Sequence, residues 1–348
     1  MREFERALGD YLGVKHCITV CNATVALEIT ARALELRGEV IVPSMTFVAT
    51  AHALQWQEIT PVFCDIDPST HLLDPQKVEA MITPRTSGIL GVHLWGRPCD
   101  IEQLSEIARK HNLKLFFDAA HAFGCSYQGR MIGRFGDAEV LSFHATKVLN
   151  SFEGGAIVTN NDQLAEKVRW MTNFGFAGRD NVVYLGVNGK MSEIQAAMGL
   201  TSLESFDTFV RHGRANYHAY RAGLSGIPGI RLREFDELER NNFQYIIIEV
   251  NPDVVGLSRD ELLAVLSAEN IDARRYFYPG CHRMEPYRSY YPHAGLLLPN
   301  TERIVERVLA LPTGMAVSQE DIGVITSLIA KVVEWAPQVR DAMTGLNK

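Results

Sequence analysis

The chain has 348 residues, 47% of them hydrophobic and 22% charged, the proportions of a soluble globular protein long enough for two domains. Its 34 basic and 41 acidic residues leave a net charge of −7, and no Lys/Arg block marks a nucleic-acid surface. No apolar run nears the roughly 20 residues of a membrane helix, and the charged start Met1-Arg2-Glu3-Phe4-Glu5-Arg6 excludes a signal peptide. Six scattered cysteines, with no CxxC pair and no zinc spacing, read as reduced core thiols: a cytoplasmic protein with no metal site.

In chain order, short apolar runs alternate with helical stretches. Strands are predicted at His16–Cys21, Glu39–Ser44, Pro61–Ile66, Gly88–His93, Lys114–Asp118, Ala138–Phe143 and Gly155–Asn160. They lack in–out alternation, as parallel strands buried on both faces do. Helices are predicted at Ala23–Leu36, Asp100–Lys110 and Asp162–Met171. This alternation is that of a doubly wound sheet, whose ligands sit at the carboxyl ends of the strands. From Lys190 a single long helix is predicted through Met191–Phe209 and on through Arg211–Leu224, until Gly226, Pro228 and Gly229 break it. A strand at Tyr245–Val250 and helices near Ser258–Glu269, Thr301–Leu309 and Gln319–Glu334 complete a smaller α/β domain. The division expected is a large domain over 1–207 and a small one over 208–348.

The nucleotide fingerprints GxGxxG and GxxxxGK[ST] are absent, and so are HExxH and GxSxG. The strand ends carry other chemistry. The fifth strand ends in Phe116-Phe117-Asp118-Ala119-Ala120-His121, a carboxylate beside two alanines that leave room for a planar ligand. Alone, such an aspartate is most often a helix cap. The sixth strand leads into Ser142-Phe143-His144-Ala145-Thr146-Lys147, with Glu153-Gly154-Gly155 following, a loop suited to holding an amine inward. Pyridoxal phosphate joins the two features, because its aldehyde needs a lysine and its ring nitrogen a carboxylate. Its phosphate needs a helix N-terminus and hydroxyls, which Cys21-Asn22-Ala23-Thr24 and Ser142 offer. Phe47, in Ser44-Met45-Thr46-Phe47 after the second strand, offers a wall for one ring face.

These elements resemble the DegT-type (DegT/StrS) sugar-nucleotide aminotransferases, a branch of the fold-type I pyridoxal phosphate enzymes. The resemblance runs over nearly the whole chain. It is carried by Phe4-Glu5 and Leu12–His16, Val40–Thr50, Val92-His93-Leu94-Trp95-Gly96, Asp118–His121, Gly136-Asp137, Ser142–Lys147 and Asn188–Ala197. It implies a large domain with a mostly parallel seven-stranded sheet flanked by helices, plus the small C-terminal domain. It implies that Lys147 is the Schiff-base lysine, that Asp118 pairs with the ring nitrogen, and that Phe47 and Ala120 sandwich the ring. His121 would lie near the ring hydroxyl, Ala23, Thr24 and Ser142 would hold the phosphate, and Asn188 would reach it from the partner subunit of a homodimer with shared sites. Lys147 argues against the family's dehydratases, which have His there.

Two departures stand out: Cys21-Asn22-Ala23-Thr24 where the family often has Ser-Ser-Gly-Thr, and a lysine loop poor in glycine. The reaction implied is ping-pong transfer of an amino group from an amino acid, most often glutamate in this family, to a nucleotide-linked keto-sugar. The stretch Arg274–His282 and the lysine loop resemble members acting on 4-keto-6-deoxyhexoses, which favours amination at C4. Tyr278 and His282 are its candidate substrate contacts, against a nearly equal reading as ordinary packing. Amination at C3, amination of a cyclitol ketone, and a cofactor-binding regulator of the same fold stay open, while the missing glycine fingerprint disfavours a nicotinamide oxidoreductase. The motif Phe4-Glu5 lies almost at Met1, so the chain is expected to lack an N-terminal arm that typical members carry. With a −7 chain, a dianionic sugar nucleotide must be held by a few local cations and backbone donors.

Overall fold

Runs of β-branched and aromatic residues bounded by turn formers produce the central sheet. All five residues of Glu39-Val40-Ile41-Val42-Pro43 are buried, as are all five of Ala138–Ser142 and of Gly155–Thr159. In the computed structural model, which describes residues 1–346, all seven predicted strands of the first half are present. They are β1 (His16–Val20), β2 (Glu39–Pro43), β3 (Thr60–Cys64), β4 (Thr86–Val92), β5 (Lys114–Asp118), β6 (Ala138–Ser142) and β7 (Gly155–Thr159). Across the sheet their order is β1-β7-β6-β5-β4-β2-β3.

One strand departs from the parallel expectation. β7 runs antiparallel to both of its neighbours, β6 and β1, while the pairs β2–β3, β2–β4, β4–β5 and β5–β6 are parallel. Six strands therefore end on one edge of the sheet, and the seventh begins there. Gly155, the first residue of β7, pairs with Val20, the last of β1, and with Ser142, the last of β6.

Of the first three helices, α1 (Arg2–Leu12), α2 (Ala23–Ala33) and α3 (Ala49–Gln55), the latter two carry site residues. α2 starts at Asn22, whose side chain accepts from the Val25 amide at 2.9 Å. The core between α2 and the sheet is built from Leu27, Ile29, Val40, Val42, Phe116, Val140 and Ile157.

The predicted long helix is two helices, Glu193–Glu204 and Phe206–Leu224, separated at Ser205. The interruption coincides with Phe206 turning its ring into the core, edge-on to Phe123 and Tyr11. That ring fills the space where a side chain on Gly124 would lie, 2.5 Å from the would-be Cβ.

The chain divides into two compact units, and the division is not a single cut. The first comprises Met1–Phe206, Glu237–Asn242 and Gly280–Thr301; the second comprises Asp207–Asp236, Phe243–Pro279 and Glu302 onward. A boundary at 207 places 280–301 in the small domain, whereas this stretch packs on the first unit. The Cys281 amide donates to the Ser44 carbonyl at 2.9 Å. Buried Asp65 accepts from the Asn300 amide at 3.1 Å, and from the Thr301 amide and hydroxyl at 2.8 Å each.

The second unit is built on an antiparallel sheet of Ile230–Leu232, Ile246–Val250 and Val308–Leu311. Val308–Leu311 falls partly within the predicted helix Thr301–Leu309, which is instead a helix over Pro299–Val305 followed by this strand. The helices Arg259–Ala268 and Gln319–Glu334 match their predicted positions, each opening on a serine capping box.

Candidate active site

The carboxyl edge of the first unit's sheet gathers most of the residues singled out from sequence. Asp118 ends β5, and its ladder partners are Val92 on β4 and Val140 on β6. Its carboxylate is 6% exposed. Oδ2 accepts from the Thr50 hydroxyl at 2.8 Å and Oδ1 accepts from the Ala120 amide at 3.1 Å. Burial pushes the Asp118 carboxyl above its usual range, opposed by the Thr50 and Ala120 donors and by the charges of Lys147 and His93.

Lys147 lies in the loop after β6, where its amide donates to the His144 carbonyl at 2.8 Å. Its amine is lowered from 10.5 to about 8, burial outweighing the opposing charge of the Asp118 carboxylate. A half-buried amine whose charge acts on a buried carboxylate is the pairing that a lysine-anchored, ring-protonated cofactor requires.

His121 is buried, and its Nδ1 accepts from the Trp95 amide at 3.2 Å. The other nitrogen, Nε2, is left to carry the ring proton. Burial, reinforced by the charge on Lys147, holds His121 well below the usual histidine range, so the ring is neutral. Its backbone is pinned by Asn242, whose Nδ2 donates to the carbonyls of His121 at 2.8 Å and Phe123 at 3.1 Å. Beneath the site, the His93 amide donates to the Asp118 carbonyl at 3.0 Å, and its ring stacks on Phe117 and faces the fully buried Glu139 at 3.4 Å.

The turn after β1 is the anion end. Among the described residues no acceptor meets the Ala23 and Thr24 amides at the start of α2, because Asn22 caps only Val25. Ser142 stands across Gly155 from this turn. A Cβ on Gly155 would lie 2.8 Å from the Ala23 nitrogen, so only glycine lets β7 begin this close to the turn. Phe47 is 59% exposed and follows Thr46 in the loop before α3. These donors, the carboxylate, the amine and an accessible aromatic face fit pyridoxal phosphate.

Other candidates lie differently. Asn188 is exposed, in the strip that returns beside β1: it bridges to Asn173, while the Gly189 carbonyl accepts from the Cys21 amide at 2.8 Å. His282 is 4% exposed, and its Nδ1 is 2.6 Å from Ser44 Oγ, which also accepts from the His282 amide at 3.0 Å. Those contacts pin the 280–301 stretch to the end of β2. Tyr278 belongs to the second unit, its ring between the guanidinium groups of Arg259 at 5.0 Å and Arg275 at 4.7 Å. The sequence reading missed Thr50, Trp95 as a backbone donor, and Asn242. Thr50 lay within the quoted Val40–Thr50 motif, but nothing in its local composition separated it from an ordinary helical threonine.

Residues 1–330 match the model of the DegT/DnrJ/EryC1/StrS aminotransferase family. The chain belongs to this family. It is 43% identical to the dTDP-4-amino-4,6-dideoxy-D-glucose transaminase of Shigella dysenteriae, over 95% of this chain and 89% of that one. It is 36% identical to the Escherichia coli enzyme of the same name, over 94% and 88%. The crystal structure of DesI in the presence of its TDP-sugar product superposes with a TM-score of 0.94 at 49% identity, over 99% of this chain and 87% of that one. The protein is a transaminase of this family, and its cofactor is pyridoxal 5'-phosphate. The family's fold is the one described above.

Proposed function

We propose that the protein transfers an amino group from L-glutamate to the C4 ketone of a nucleotide-linked keto-6-deoxysugar, of the dTDP-4-keto-6-deoxyglucose type, in deoxyaminosugar biosynthesis. The observation that carries the reaction class is the Lys147 amine, lowered to about 8, beside the buried Asp118 carboxylate. The names of the 43% and 36% identical relatives support the sugar and the ring position. When bound, pyridoxal phosphate supplies an aldehyde and a ring that stabilises negative charge on the carbon bearing the transferred nitrogen.

The chain's own residues do the rest. Lys147 would anchor the cofactor through Nζ and, when its amine is free, would carry a proton on Nζ as general base and then acid. An amine near 8 is partly unprotonated at neutral pH, as that role needs. Asp118 keeps the proton on the ring nitrogen, and neutral His121 presents its Nε2–H toward the ring hydroxyl. The Ala23 and Thr24 amides and the Ser142 hydroxyl would hold the phosphate, and Phe47 and Ala120 would hold the ring.

The active form is a homodimer in the cytoplasm. Support for the dimer comes from the hairpin Phe176–Gly178/Asn181–Val182 and its flanks, where Phe174, Val182, Val183, Leu185 and Val187 are all exposed. Asn188 directly follows this apolar strip, and its role is to reach the phosphate of the partner's site. No single helix among the described residues is long and apolar enough to cross a membrane, and the six cysteines are free.

The test is to charge the protein with glutamate, isolate the pyridoxamine form, and present nucleotide-linked 3-keto and 4-keto sugars. The expected product is the 4-amino-4,6-dideoxy sugar. Exclusive amination at C3 overturns the assignment of ring position, and no glutamate-dependent bleaching of the yellow protein overturns the reaction class.

A further inference from the structure

Three buried helical threonines share a backbone-directed habit that two others, Thr50 and Thr301, break, Thr301 by donating its hydroxyl to Asp65 at 2.8 Å. Thr30, Thr172 and Thr326 each donate the hydroxyl to the backbone carbonyl four residues earlier, at 2.7 to 2.9 Å. Thr50, on α3, does not. Its hydroxyl meets the Thr46 hydroxyl at 2.8 Å and the Asp118 carboxylate at 2.8 Å. A hydroxyl carries one proton. Thr50 gives its proton to the ionised carboxylate, so at the other contact it accepts and Thr46 donates. The chain Thr46→Thr50→Asp118 has a defined direction. All three residues are buried, so bulk water does not screen it.

Two donors of different origin hold the carboxylate: the Ala120 amide on Oδ1, fixed by the backbone, and the Thr50 hydroxyl on Oδ2, supplied by a side chain. A carboxylate accepts about four hydrogen bonds, which leaves capacity for the cofactor. The ionisable groups acting on it are Lys147 and His93, both of which favour the charged form against the effect of burial.

We propose that Thr50 is a positioning residue for the transamination chemistry: the Thr46–Thr50 relay holds Asp118 ionised and oriented, so that the proton shared with the cofactor's ring nitrogen stays on the ring. This rests on the assignment of Asp118 to the ring nitrogen made above. Without the hydroxyl the carboxylate is less stabilised, and the proton moves from ring nitrogen to carboxyl oxygen. With less positive charge on the ring, the nitrogen joining cofactor to Lys147 holds its own proton to higher pH.

The test uses the holoenzyme and its Thr50→Val, Thr50→Ser, Thr50→Ala and Asp118→Asn variants. The visible absorbance of the bound cofactor is titrated with pH, and the rate of bleaching by L-glutamate is measured. In Thr50→Val the titration midpoint moves up and the bleaching rate falls about ten- to a hundredfold, about 1.4 to 2.7 kcal/mol at ~1.36 kcal/mol per factor of ten. Thr50→Ser, which keeps the hydroxyl, restores both toward wild type. Should Thr50→Val fail to fold, Thr50→Ala removes the same hydroxyl without altering branching and carries the same expectation. A wild-type midpoint and rate in the hydroxyl-free variants overturns the proposal, and so does a Thr50→Ser variant as impaired as Thr50→Val. Asp118→Asn separates the two levels. If it leaves the midpoint unmoved, the assignment of Asp118 fails; if it shifts the midpoint while Thr50→Val does not, only the role of Thr50 fails.

Discussion

Replacing Gly155 with alanine tests the anion end of the site without touching a group that takes part in chemistry. The added Cβ would lie 2.8 Å from the Ala23 nitrogen, 2.9 Å from the Asn22 carbonyl carbon and 2.9 Å from the Leu141 oxygen. All three are backbone atoms, two in the phosphate turn and one in the adjoining strand, so no side chain can rotate away. Ordinary contacts at these atoms are about half an ångström longer, so the turn must move away from β7. Overpacking of this kind costs about 1–3 kcal/mol. If most of it falls on the turn, the dissociation constant of pyridoxal phosphate rises about five- to a hundredfold, at ~1.4 kcal/mol per factor of ten. Absorbance titration of the apoprotein with pyridoxal phosphate measures the change. A parallel titration with pyridoxal, which lacks the phosphate, gives the reference. The variant should lose affinity for the phosphate ester and keep most of its affinity for pyridoxal. Equal losses for both would refute the placement of the phosphate at Ala23 and Thr24. An unchanged dissociation constant and melting temperature would refute the steric argument itself.

Other expectations are simpler to state. Lys147→Ala should lose the absorbance of the lysine-bound cofactor and all multiple turnover; sustained turnover at the wild-type rate would contradict the role given to the amine. Burial lowers the folded pKa of Lys147 from 10.5 to about 8, so across that window the unfolded chain holds more protons and this group makes the apoprotein more stable as pH rises. The same titration should make cofactor capture by apoprotein faster through about pH 8, followed by stopped-flow absorbance. Asp65→Ala removes the acceptor of three donors from Asn300 and Thr301, and should cost about 3 kcal/mol in urea unfolding. Leu185→Glu, at a 73% exposed position in the apolar strip, should convert the proposed dimer to monomer in sedimentation and suppress activity without altering the fold seen by circular dichroism.

The sheet was legible because its strands are short, apolar and bounded by turn residues. Each predicted strand overlaps the observed one, with ends differing by two residues at most. The direction of β7 was not legible, since Gly155-Ala156-Ile157-Val158-Thr159 has the composition of a buried strand whichever way it runs. Val308 and Leu309 read as the end of the predicted helix Thr301–Leu309 because the short apolar run Val308-Leu309-Ala310-Leu311 carries no period to separate helix from strand. The division at Ser205 was lost because the helical pattern continues on both sides of it. At the site, Asp118 alone reads as a helix cap and Lys147 alone as a solvated loop residue; they stood out together, because a carboxylate at one strand end and an amine beyond another are what pyridoxal phosphate requires. Thr50 did not, because it lies in Ala49-Thr50-Ala51-His52, which reads as an ordinary helix turn. Only the fold brings it to a carboxylate 68 positions later in the chain.

The reversed strand has a further consequence for how the amine is delivered. Residues 143–154 leave one strand and enter its immediate neighbour, so the loop bearing Lys147 is the bend of a hairpin rather than a crossover. Its ends are clamped by the Ser142–Gly155 pair, about one strand spacing of ~5 Å apart. The conformational entropy of bringing the amine to the carboxylate is therefore lost once, when the sheet forms, and not again in each catalytic cycle. Between the two tasks proposed for it the lysine has only its own side-chain torsions to search, and an amine moved one residue along the same hairpin would not find the same place.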